Sequence, residues 1–131
     1  MLAHVDPSNG IPIYEQIVRQ VKFAIADGSL NVGDHVPSVR ELASRLAINP
    51  NTVARAYRDL QIAGLLLPIR GTGLAVAQGA PRQCRSERLD LIRERLRAVL
   101  SEAVHNGVSH EEIRSLMESV LVRLPEREGG G

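Results

Sequence analysis

The stretch from Pro37 to Val76 constrains the fold of this chain more than any other. Ser38 can cap a helix and Glu41 follows three residues later, so the two can satisfy each other's backbone donors as a capping box. Leu42, Ala43 and Leu46 then share one helical face, with Arg40, Ser44 and Arg45 largely on the other. The pattern breaks from Ala47 to Pro50. Asn49 or Asn51 can cap the next helix, and Pro50 suits a first turn, where its missing N–H has no helical acceptor to lose. Val53, Ala56, Tyr57 and Leu60 make the inward stripe of this second helix and leave Asn51, Thr52, Arg55 and Arg58 outward. Leu65–Ile69 and Leu74–Ala77 read as two strands joined by the glycine-bounded tip Arg70-Gly71-Thr72-Gly73. Helix, tight break, helix and hairpin in that order predict a winged helix-turn-helix.

Such a unit binds double-stranded DNA by bringing the N-terminal residues of its second helix to base edges. Asn51 and Thr52 are therefore candidate base contacts as well as candidate caps, and Ser38 and Asn49, at the two helix starts, join the candidate set. Arg55, one turn after Asn51, can reach a phosphate or a guanine edge, while Arg58 lies further from the groove. Arg40 is either a DNA contact or a surface residue paired with an acid. Gly71 and Gly73 form the hairpin turn, and Arg70, Gly71 and Thr72 at the tip would approach the minor groove or its phosphates. Bulk charge does not itself suggest nucleic acid, since 16 basic and 15 acidic residues leave a net charge of +1. Its distribution is more informative: between Ser38 and Val76 five arginines stand against Glu41 and Asp59.

The residues Pro-Ser-Val-Arg-Glu-Leu-Ala at 37–43 and Asn-Pro-Asn-Thr-Val-Ala-Arg-Ala-Tyr-Arg-Asp-Leu at 49–60, with Gly64-Leu65 and Arg-Gly-Thr-Gly at 70–73, resemble the GntR family of bacterial transcription regulators. The match extends upstream through Pro12-Ile13-Tyr14-Glu15-Gln16-Ile17 and Gly28-Ser29-Leu30, so that it covers residues 10–78. The resemblance implies a DNA-binding regulator and favours Arg40 as a phosphate or base contact. The hairpin departs from the family pattern. Leu67-Pro68-Ile69 stands where a polar or charged strand is usual, and Leu74-Ala75 where the family has Thr-Phe. Pro68 cannot donate a ladder hydrogen bond and suits only an edge, and so apolar a wing can pack against another surface instead of DNA.

A winged helix over residues 1–78 leaves too little chain for a ligand-binding domain of about 100 to 200 residues. Ser86–Asn106 carries Leu89, Ile92, Leu96, Val99, Leu100 and Ala103 at helical spacing, and Ser109–Leu124 carries Ile113, Leu116, Met117, Val120, Leu121 and Leu124. Ser109 and Glu112 offer a second capping box, and Asn106-Gly107 a break between two helices. Two helices bury little surface alone, so Leu89, Ile92, Leu96, Val99, Leu116 and Val120 are expected to pack against the same pair in a second chain. This short tail resembles that of the YtrA-like subfamily, which implies a homodimer. The expected organisation is a winged helix over 1–78, a linker over 79–85, a two-helix dimerisation region over 86–125 and a disordered tail over 126–131. Upstream, Ile13–Asp27 reads as a helix ended by Gly28, after an irregular lead-in over residues 1–10, and Asn31–Pro37 as a turn.

Enzymatic patterns are lacking. His4, His35, His105 and His110 are scattered without the spacing that holds a metal, no phosphate-binding glycine loop follows a buried strand, and neither a catalytic residue nor a cofactor is expected. Cys84, the single cysteine, fits a reducing cytoplasm and, in an exposed linker, could sense oxidants. No apolar run approaches the roughly 20 residues of a membrane span, and the N-terminus has no signal-peptide pattern. The sequence therefore predicts a mostly helical, cytoplasmic, homodimeric repressor of transcription that binds a pseudo-palindromic operator, with room for an unidentified small effector. The competing reading is a protein-interaction module built on a dimeric winged helix that has lost DNA binding.

Overall fold

Ile17, Val21, Ala24 and Ile25 recur at helical spacing and form the buried face of α1 (Ile13–Asp27), with Ile13 packed at its edge. Gly28, left-handed at φ 86°, ends that helix. α2 (Val39–Leu46) and α3 (Pro50–Ile62) follow, then strands β1 (Leu66–Pro68) and β2 (Leu74–Val76), and finally α4 (Ala80–His105) and α5 (His110–Arg123). The structure, a computed structural model, describes residues 4–71 and 73–126. It comprises two units, residues 1–88 and residues 89–131.

In the first unit α1 and α2 both pack on α3, around a core that includes Ile17, Ile25, Leu42, Val53, Leu60 and Leu65. Burying each such side chain contributes about 1.5 to 3 kcal/mol. Tyr57 lies in the same core and its hydroxyl donates to the Pro37 carbonyl at 2.7 Å, tying α3 to the residue before the α2 cap. Burial pushes the Tyr57 phenol well above its ordinary pKa.

β1 and β2 are antiparallel, with Leu66 opposite Val76, Leu67 opposite Ala75 and Pro68 opposite Leu74. β1 is the outer strand, so Pro68 occupies an edge as its missing N–H requires. The inner edge of β2 meets the segment 33–36: Gly33 and Val36 donate to the carbonyls of Val76 and Leu74, and Val76 donates to Asp34 O, each at 3.0 Å. His35 pairs with Ala75 as an isolated bridge. The expected turn over Asn31–Pro37 is thus a turn in its first half and a third, minimal strand in its second.

One further expectation is corrected. The linker assigned to 79–85 is instead the start of α4, which begins at Ala80, six residues before the expected helix. Its small side chains explain the difference: Ala80 and Cys84, one turn apart, fit into the core of the first unit, and Lys22 of α1 pairs with Glu87 at 3.2 Å. The lead-in is held more firmly than its composition suggests. Gln16, buried on α1, accepts from Asp6 N at 2.9 Å and donates to the carbonyls of Asp6 and Ile11 at 2.7 and 2.8 Å.

The second unit contains the remainder of α4, Gly107 and α5. Ser109 and Glu112 form the reciprocal capping box at the start of α5. Ile113 is buried, whereas Leu89, Ile92, Leu96, Val99, Leu116 and Val120 are all exposed. Residues 127–131, most of the tail expected to be disordered, lie outside the described residues, as do residues 1–3.

Three helices end in one way, with a left-handed residue followed by an N–H that reaches back five residues. Leu65 donates to Leu60 O after Gly64, Val108 to Ala103 O after Gly107, and Ile48 to Ala43 O after Ala47, each at 3.0 Å. Ala47, at φ 56°, is the sole left-handed non-glycine among the described residues and is exposed. A Cβ in this conformation costs about 1 to 2 kcal/mol, partly offset by the greater unfolded-state entropy of glycine. Ala47→Gly should therefore raise the unfolding free energy by about 0.5 to 1 kcal/mol in chemical denaturation.

Candidate nucleic-acid interface

The interface is set by the tight turn between α2 and α3. Ser38 caps α2 by accepting from Glu41 N at 3.1 Å. The return bond expected of a capping box is not made; Glu41 instead lies 3.9 Å from Arg45, one turn along the helix. Arg40, the second residue of α2, is exposed. At the start of α3 it is Asn49, rather than Asn51, that caps: its side-chain oxygen accepts from Asn51 N at 2.8 Å. Pro50 occupies the first helical position. Asn49 thus frames the helix, and Asn51 is left exposed at its second position.

With successive residues about 100° apart around the helix, Asn51, Arg55 and Arg58 fall within a narrow stripe, opposite the buried Val53, Ala56, Tyr57 and Leu60. All three stripe residues are exposed, and Thr52, about a quarter-turn away, is half-buried. The stripe presents an amide and two guanidiniums, which can donate to base edges and phosphates. Arg70 and Gly71 are exposed at the hairpin tip, where Gly71 has φ 74° and Gly73 φ 87°. Thr72, the remaining candidate of the tip, lies outside the described residues. Leu67 and Ile69 are exposed on the same hairpin.

One element of this surface is not legible in the spacing of the sequence. The Arg55 guanidinium lies 3.7 Å from the centroid of the Tyr14 ring, so α1 contributes to the face that α3 presents. Both Tyr14 and the buried Gln16 belong to the stretch Pro12–Ile17 at the start of α1, on either side of the exposed Glu15. The oxidant-sensing reading of Cys84 is not supported, because its thiol is buried in the core and burial, with the nearby Glu87, pushes its pKa up to about 11. Among the described residues no cluster of three or more metal-ligating side chains occurs, and no helix is long and apolar enough to cross a membrane.

A helix-turn-helix with an antiparallel hairpin behind it, and a polar, basic stripe on the second helix, defines the winged-helix class of transcription regulators. Residues 13–76 match the model of the bacterial regulatory proteins of the gntR family. The chain is 34% identical to the HTH-type transcriptional repressor YtrA of Bacillus subtilis over 91% of its own length and 92% of that protein's. Among solved structures, a GntR family transcriptional regulator from Listeria monocytogenes is 30% identical with a TM-score of 0.66, over 86% of this chain and 97% of the other. YtrA from Sulfolobus acidocaldarius, a GntR-family transcription factor, is 31% identical with a TM-score of 0.55, over 92% of this chain and 97% of the other. The chain belongs to the GntR family.

Framing and contacting residues should separate in stability measurements made without DNA. Asn49→Ala removes the cap of α3 and is expected to cost about 1 kcal/mol. Asn51→Ala, at an exposed position that caps nothing, should stay within about 0.5 kcal/mol of the parent in the same chemical denaturation.

Proposed function

We propose that this protein is a cytoplasmic transcriptional repressor that binds a pseudo-palindromic operator as a homodimer, with one α3 in each of two successive major grooves. The observation that carries this reading is the outward stripe of Asn51, Arg55 and Arg58 on a helix whose opposite side is locked in the core. Asn51 and Thr52 read base edges, Arg55 reaches a base or a phosphate, and Arg40 neutralises a phosphate. Arg70 and Thr72 follow the backbone beside the minor groove. The repressor role of the Bacillus relative supports the direction of regulation.

Dimerisation is supported by the second unit. Leu89 is 63% exposed, Leu116 59% and Val120 51%, and Ile92, Leu96 and Val99 are exposed as well. So much uncovered aliphatic surface on one helical hairpin is more than solubility favours, and a second copy of the same hairpin would cover it. The exposed Leu67 and Ile69 of the wing favour one competing reading, a winged helix that docks a protein rather than DNA. A salt-dependent gel shift with DNA from upstream of the protein's own gene distinguishes the two: repressor binding weakens steeply as salt rises, whereas a protein-docking module gives no shift.

On bound DNA, Asn51→Ala or Thr52→Ala should cost about 1 to 3 kcal/mol with the operator and much less with random sequence. Arg40→Ala should weaken both and flatten the slope of log affinity against log salt by about one unit per lost phosphate contact. Leu96→Glu places an unpaired carboxylate in the subunit interface of each chain, at a cost of several kcal/mol per ion. Analytical ultracentrifugation should then show monomers, and operator affinity should fall by about 100-fold or more as the linkage of two half-sites is lost.

A further inference from the structure

Of the five arginines between Ser38 and Val76, Arg55 is the one stacked on an aromatic ring among the described residues. We propose that Tyr14 is a positioning residue for DNA recognition: its ring holds the Arg55 guanidinium by one face and presents the N–H edge to the nucleic acid. The inference rests on the DNA-binding function proposed above. Tyr14 is the second residue of α1, half-buried and packed against the core, so its ring is a fixed surface rather than a loose one. α1 and α3 pack directly on each other, and Arg55 is exposed on the outward stripe of α3.

The chemistry of the guanidinium makes the arrangement useful. Its five N–H groups lie in the plane of the group, so stacking on a ring occupies the face and leaves the donors free. No carboxylate pairs with Arg55 among the described residues, unlike Arg45, which lies beside Glu41 at 3.9 Å. An arginine restrained before binding loses less rotamer freedom when it meets a base edge or phosphate, and that difference appears as affinity. Arg40 and Arg58, exposed on their helices without such a ring, carry the full ordering cost.

The test is a double-mutant cycle on a duplex that the wild-type protein selects from a randomised pool, with thermal melting of each variant measured alongside. Tyr14→Leu should weaken binding about 2- to 5-fold per half-site, the range for a stacked cation at a partly exposed position. Tyr14→Phe keeps the ring and should bind as the wild type does. In the Arg55→Ala background, Tyr14→Leu should have no further effect. Three results would overturn the inference. Equal losses with Phe and Leu would assign the effect to the hydroxyl, an undiminished loss in the Arg55→Ala background would make Tyr14 act independently of Arg55, and an unchanged affinity of Tyr14→Leu would give the ring no part in recognition. If Arg55→Ala and Asn51→Ala weaken binding while any of these results is obtained, DNA binding stands and only the role of Tyr14 falls. If the wild type selects no duplex, the DNA-binding reading falls and the role of Tyr14 with it.

Discussion

Burial of Val53, Ala56, Tyr57 and Leu60 on one side of α3 decides which of its residues can meet a partner. A helix has one rotation about its own axis that satisfies this stripe, and in that rotation Asn51, Arg55 and Arg58 must point away from the core. The remaining parts of the first unit hold that rotation in place. α1 and α2 cover the apolar stripe, the Tyr57 hydroxyl anchors α3 to Pro37, and Asn49 fixes where the helix begins. A recognition surface needs this rigidity, because a helix that could roll would present a different set of side chains to the groove.

The hairpin adds backbone pairing to the burial of Leu66 and Val76 in the core, and the lead-in is held by hydrogen bonds to one side chain. β2 is bonded on both edges, by β1 and by residues 33–36, so the segment before α2 and the strand after the hairpin tip are parts of one small sheet. Gln16 does for the lead-in what a strand partner would do, since one carboxamide both accepts from and donates to the backbone of Asp6. Beyond the hairpin, Ala80 and Cys84 continue the core into α4. The first unit therefore ends inside a helix and not in a loop.

Much of this was legible in the sequence because it rests on local spacing. α1 and its closing glycine, the α2 and α3 stripes, the hairpin and the Ser109 capping box follow from periodicity and from the residues that helix ends and tight turns require. What periodicity missed has both long-range and local causes. Gly79 and Pro81 suggested a linker, yet Pro81 falls in the first turn of α4, where its missing N–H costs nothing, and Ala80 and Cys84 fill space that only the folded core defines. The choice of Asn49 over Asn51 as cap, the pairing of Glu41 with Arg45, and the stacking of Arg55 on Tyr14 each select among chemically similar options by geometry that a linear pattern does not contain. Ala47 reached a left-handed conformation without a glycine to announce it.

The two units divide the work that the proposed function requires: one presents a polar stripe suited to a groove, and the other exposes aliphatic side chains suited to a second copy. Hydroxyl-radical footprinting on the duplex that the protein selects tests both at once. Two protected tracts, related by a dyad and separated by about one helical turn, are the expected result. A single protected tract would contradict the paired arrangement of two recognition helices, and uniform cleavage at protein concentrations that saturate a gel shift would contradict a sequence-specific reader altogether.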